Sequence, residues 1–328
     1  MPIHSAVGVH FIKLLIHIAF LVAAACLAGC QPPNEPLRIV SSPWPGYEPF
    51  YLARDLGYLD KASVRLNELP TANITLEAFS NGSAEIATIT LDETLTLLAQ
   101  GKKLRVLMVI DVSNGADAVM AKPSIRSLPE LKGKRIAMEN IPLGVYMLNR
   151  LLDAAKLKAE DVTVVPMPED QHEKAYLQGK IDAAITMEPN KTRLAHAGAH
   201  VLFDSSRIPN EIFDLLVARE DVYQARRDEL CRLTQQWFRT LDYVQANQQD
   251  AFTRMGKRLG MDVPSYRTMM AGVVLPSRQE NQRLLGGTSP ALIAPARRLA
   301  DIMQRNHMLS VPVDIAPSID ADFAACLK

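Results

Sequence analysis

The sequence predicts an α/β fold of two lobes, each a mainly parallel sheet covered by helices on both faces. Three observations carry this. Short apolar runs alternate with amphipathic stretches from Leu37 to about Asp204, a proline- and glycine-punctuated stretch interrupts the alternation once, and the last third reads as almost purely helical. With 328 residues and 48% apolar content the chain can supply two cores.

The first set of strands is LRIV (37–40), VRLNEL (64–69), IATIT (86–90) and LRVLMVID (104–111), with helices beginning near Tyr47, Ile74 and Asp92. AVMAKPSIRSLPELKG (118–133), with a capping box from Ser127 to Glu130, reads as a crossing to the second lobe. There KRIAME (134–139), VTVVPM (162–167), AAITME (183–188) and HVLFD (200–204) alternate with helices from about Leu143, Glu169 and Pro189. DLLVAR (214–219) is the last strand, so the chain crosses back at about 205–214 and completes the first lobe with helices. The expected division is 37–120 with 210–328 in the first lobe and 121–209 in the second. Two crossings make a hinge, and a cleft lies between the lobes.

Residues 1–29 contain no acid, have Lys13 as their only Lys or Arg, and carry the apolar run LLIHIAFLVAAA before Leu27-Ala28-Gly29-Cys30. So short an apolar core ending in small residues is expected to be a cleaved export signal, since a spanning helix needs about 20 apolar residues. The ending resembles the bacterial lipoprotein box. By that resemblance Cys30 is the lipidated first residue of the mature chain, an anchor to the membrane, and 30–36, rich in proline, is an extended tether. Gln31 points to outer-membrane rather than inner-membrane sorting within the periplasm, again by resemblance. Lys+Arg and Asp+Glu both number 36 and no basic stripe is interleaved with aromatics, so nucleic acid is not expected as a partner. Cys231 and Cys326 are expected to be buried free thiols, although an oxidising compartment would permit a bond between them.

Open α/β sheets bind ligands beyond the carboxyl ends of their strands. The residues at those junctions are Ser41, Ser42, Trp44, Tyr47 and Glu48; Thr90 and Asp92; Asp111, Ser113 and Asn114; Glu139 and Asn140; and Glu188. Pro43 and Pro45 keep Trp44 out of regular structure, so its ring is available as a stacking wall or as a plug between helix and sheet. Thr90-x-x-Glu93 is a capping box and Glu188 precedes a proline suited to a helix start, so both regions suit capping as well as ligand contact. The 113–117 stretch is a turn in composition, where Asn and Asp often close their own backbone.

WPGYEPFYLARDLGYLD, FSNGSAEIATITLDE, LKGKRIAMEN and GKIDAAITMEP resemble, in order and spacing, the substrate-binding proteins of ABC importers in the nitrate, sulfonate and taurine group. The resemblance runs from about Leu37 to Asp250. It implies a type II periplasmic binding protein fold, with two hinge strands, that closes on a small-molecule solute and docks as a monomer on an ABC permease and ATPase complex, with no catalysis and no cofactor. Carried over by position, it places Trp44, Tyr47, Thr90, Asp92, Asp111, Asn114, Asp117, Glu139, Gly144 and Glu188 around the ligand. Five of these are carboxylates, with no matching set of Arg or Lys, so a cationic or amino-bearing ligand stacked on Trp44 is expected in place of an anion.

Two alternatives accompany this reading. The same lobes could serve a ligand-sensing lipoprotein that presents them to a membrane receptor. An enzyme similar to pyrimidine-precursor synthases of related fold would need a cysteine-rich iron motif and a cofactor-bearing lysine, and no cysteine lies between Cys30 and Cys231. No serine-nucleophile elbow, phosphate loop or dinucleotide fingerprint is present. HAGAH (196–200) could set two imidazoles on one helix face, but Gly198 weakens that helix and no third metal ligand is evident.

Overall fold

The structure, a computed structural model, describes residues 35–327. The expected export signal and the expected lipidation site at Cys30 lie outside the described residues. Eleven strands are found among those described: β1 (Leu37–Ser41), β2 (Val64–Glu68), β3 (Ile86–Thr90), β4 (Leu104–Ser113), β5 (Ala118–Ala121), β6 (Arg135–Met138), β7 (Thr163–Pro166), β8 (Ala183–Thr186), β9 (His200–Asp204), β10 (Phe213–Arg219) and β11 (Val273–Val274).

They form two sheets. The first has the order β11-β4-β10-β3-β1-β2 and the second β7-β6-β8-β5-β9. Each has a parallel part, β2-β1-β3 in one and β7-β6-β8 in the other. Each also holds one strand that arrives from the opposite sheet and therefore enters from the opposite end. β10 is antiparallel to both β3 and β4, and β5 is antiparallel to both β8 and β9. The sheets are thus mixed where the sequence suggested mainly parallel pairing. The chain leaves the first sheet after Ser113 and joins the second at Ala118, so AVMA, read from sequence as part of a crossing, is itself a strand.

Local chemistry accounts for the helix starts. Thr90 and Glu93 complete their capping box, with the Thr90 amide donating to Glu93 Oε2 at 2.9 Å, and Thr71 and Asp262 cap the helices Ala72–Ser80 and Val263–Met270. The C-terminal helices pack on the first sheet and its flanking helix. Trp237 is 1% exposed and its ring lies 4.5 Å from that of Phe50. Beyond the short β11, the edge of β4 is satisfied by a side chain: Asn281 accepts from the Val109 amide at 2.8 Å and donates to the Val109 carbonyl at 3.0 Å. HAGAH does not lie on one helix face, because its helix ends at His196, Gly198 takes a positive φ and His200 begins β9.

Cys231 and Cys326, expected to be free thiols, are joined as a disulfide with Cα atoms 5.3 Å apart. Packing of the last 3-10 turn, Phe323–Cys326, on the helix Arg227–Ala246 brings together residues separated by 95 positions. Closing so long a loop restricts the unfolded chain, a contribution of about 2–4 kcal/mol. Cys326→Ser is expected to lower the melting temperature by several degrees relative to the unreduced wild type. Equal melting temperatures would mean that the bond adds nothing.

Candidate functional site

Because β10 runs antiparallel between β3 and β4, its first residues lie beside their last ones. Asp214 pairs with Thr90 on one side and with Asp111 on the other. Directly opposed residues on neighbouring strands share a face, so these three buried side chains form a row across the end of the sheet. The turn after β1 folds onto this row. Trp44 Nε1 donates to Asp111 Oδ2 at 2.9 Å, and the Tyr47 hydroxyl donates to Asp214 Oδ1. Trp44 is therefore a buried, hydrogen-bonded wall residue, 3% exposed, rather than an open platform.

Trp44, Tyr47, Thr90 and Asp214 border a narrow inner chamber. Thr88 and Glu93 complete the side of the first sheet, Asp117 comes from the crossing, and Leu143 and Met187 come from the second lobe. A larger outer chamber shares Ser42, Ala72 and Met187 with it. Glu139, Glu169, Asp170 and Arg193 line the outer chamber from the second lobe, and Glu68 and Arg258 from the first.

Of the ten residues the sequence pointed to, Trp44, Tyr47, Thr90 and Asp117 line the inner chamber and Glu139 the outer one. Asp111 stands behind Trp44. Asp92 is buried in the first turn of Leu91–Ala99 but lines neither chamber. Gly144 sits beneath Glu139, where an added Cβ would lie 2.2 Å from the Glu139 carbonyl oxygen, which is a close-packing role. Glu188 caps its helix, accepting from the Thr192 amide at 3.0 Å, with Lys191 Nζ 3.5 Å from its other oxygen. Asn114 lies elsewhere, lining an outer depression beside β11, its amide donating to the Gly272 carbonyl at 2.8 Å. Glu93, Asp214 and Thr88 line the inner chamber without having been singled out from the sequence as ligand contacts.

Burial dominates the electrostatics, opposed at Asp117 by a nearby cation, Lys191. It pushes Glu93 up to about 8, Asp92 and Asp111 to about 7 and Asp117 to about 6, and it drives Asp214 well above the carboxylate range. Neighbouring acids add to each of these shifts. Glu48 is also pushed up to about 7 by burial, although Arg258 opposes this from 2.9 Å. Groups whose folded pKa is raised hold more protons in the folded than in the unfolded chain between the two values. Their stabilisation is complete at low pH and is lost as pH rises through the folded values. His172, lowered to about 4 by burial, works in the opposite sense, but it is one group against several. The free protein is expected to melt at a higher temperature at about pH 5 than at about pH 8. A flat or rising profile in scanning calorimetry would contradict this.

Two lobes around such a cleft define the class: the chain has the mixed α/β fold of periplasmic binding proteins. The periplasmic aliphatic sulphonate binding protein of Escherichia coli superposes with a TM-score of 0.70 at 19% identity, covering 89% of this chain and 99% of that one. The desulfurization enzyme DszB has the same fold, with a TM-score of 0.65 at 16% identity over 90% of this chain and 99% of that one. A Brucella abortus protein, provisionally named a binding protein, is 25% identical over 266 residues, 79% of this chain and 81% of the relative. The chain belongs to the NMT1/THI5-like family, whose model matches residues 44–251.

Proposed function

We propose that the protein is the solute-binding component of an ABC importer, held in the periplasm at a membrane, the outer one favoured, through lipid on Cys30, and that its solute is cationic or amino-bearing. One observation carries the ligand class: the inner chamber is lined by Glu93, Asp117 and Asp214 and by no Lys or Arg. A sulfonate there would find no cation to pair with and could be held only while the acids stay protonated, so its binding would weaken as pH rises. An ammonium, amidinium or guanidinium would form charge-assisted hydrogen bonds with the same oxygens and lie beside the Trp44 ring. Closure of the two lobes on the solute then presents a changed surface to the permease.

The test is a thermal-shift screen of the full chain, purified in detergent, against amines, guanidines, aminopyrimidines, sulfonates, nitrate and bicarbonate. A solute that binds only the folded state raises the melting temperature. Stabilisation by cationic or amino compounds is expected, and stabilisation by anions alone would overturn the ligand class while leaving the binding-protein reading in place.

A further inference from the structure

The inner chamber is not the whole of the acidic cleft. Ser42, Ala72 and Met187 border both chambers, so small and apolar side chains mark the boundary between them. Beyond them, Glu139, Glu169 and Asp170 line the outer chamber. Four acids, Glu68 included, face two arginines in that lining, and only Arg258 of the two is ion-paired among the described residues. Arg258 bonds to Glu48 and Glu68, and Arg193 Nη1 donates to Asn190 Oδ1 at 3.0 Å. Glu139 is 6% exposed and interacts with Thr71 and the Asn73 amide across the cleft, so its carboxylate stands where the lobes meet.

The inner end asks for a ligand by its own chemistry. Glu93 Oε1 and Thr88 Oγ1 belong to side chains 2% exposed, they line the chamber, and neither has a hydrogen-bond partner among the described residues. Buried polar atoms left in this way are costly, and a donor entering the chamber satisfies them.

We propose that the solute is an elongated dication, a linear diamine or polyamine, with one ammonium in the inner chamber among Glu93, Asp117 and Asp214 and the second in the outer chamber between Glu139 and Glu169. The methylene chain passes Ala72 and Met187. This rests on the cationic reading of the inner chamber and adds a second charge site to it. Selectivity follows from geometry, because a monoamine leaves the outer carboxylates facing one another.

Calorimetric titration of the full chain with 1,3-diaminopropane, 1,4-diaminobutane and 1,5-diaminopentane, each against the monoamine of equal carbon number, tests the inference. At least one diamine is expected to bind about tenfold or more tighter than its monoamine. Glu139→Gln and, separately, Glu169→Gln should bring the ratio of diamine to monoamine affinity close to one. Two variants are used so that a folding defect in one does not decide the result. Equal affinities of diamines and monoamines overturn the dication and leave the cationic reading standing. A diamine preference that survives in both variants overturns the placement of the second charge. Binding of an alkanesulfonate with no amine bound overturns both readings.

Discussion

Glu93→Gln is expected to weaken binding of a primary amine about 10- to 100-fold while raising the melting temperature of the free protein near pH 8. One carboxylate oxygen accepts from the Thr90 amide at 2.9 Å and the other lines the inner chamber without a partner. Glutamine retains the capping acceptor and removes the buried charge, so the unliganded fold is relieved of a desolvation cost. The bound state loses one charge-assisted hydrogen bond, of about 1.5–3 kcal/mol, which is the source of the fold-change. Titration with butylamine and a melting curve on the same sample check both halves. Unchanged affinity would place the ligand away from Glu93.

Gly46→Ala is expected to damage both the fold and the site. An added Cβ would fall 2.0 Å from Asp111 Oδ2 and 2.5 Å from Trp44 Nε1, the two atoms whose hydrogen bond fixes the wall of the chamber. Both side chains are buried, so neither has free space to swing into. Overpacking costs about 1–3 kcal/mol, and separating Trp44 from Asp111 leaves a buried carboxylate with no donor, a comparable further loss. The variant should show a lower melting temperature, altered tryptophan fluorescence and loss of amine binding. Wild-type behaviour in all three would mean that the Trp44–Asp111 contact does not hold the wall.

Much of this architecture is legible in the sequence because it rests on local signals. Alternating apolar runs give nine of the strands, and Thr90-x-x-Glu93 gives a capping box that forms as read. What local pattern does not carry is strand direction. Asp214 opens a strand, and a search beyond strand carboxyl ends passes over it. Only the antiparallel insertion of β10 sets its start beside the ends of β3 and β4. Glu93 was visible as a cap, but a carboxylate has two oxygens and capping uses one, so its second role was available in principle. Asn114 went the other way: its turn closes on Gly272 from the helical tail, a contact across more than a hundred residues. The Cys231–Cys326 bond likewise depends on where that tail ends.

The central claim is that the inner chamber is an acidic site that takes a positive charge, and proton exchange on binding tests it most directly. At pH 7 a primary amine such as butylamine is already protonated, while Glu93, raised to about 8, and Asp214, driven well above the carboxylate range, still hold protons. A cation entering the chamber lowers their pKa values, and the protein gives up protons as it binds. Titration of the full chain with butylamine in two buffers of different ionisation enthalpy should reveal net proton release. Proton uptake, or binding confined to an alkanesulfonate and strengthened at lower pH, would contradict the account.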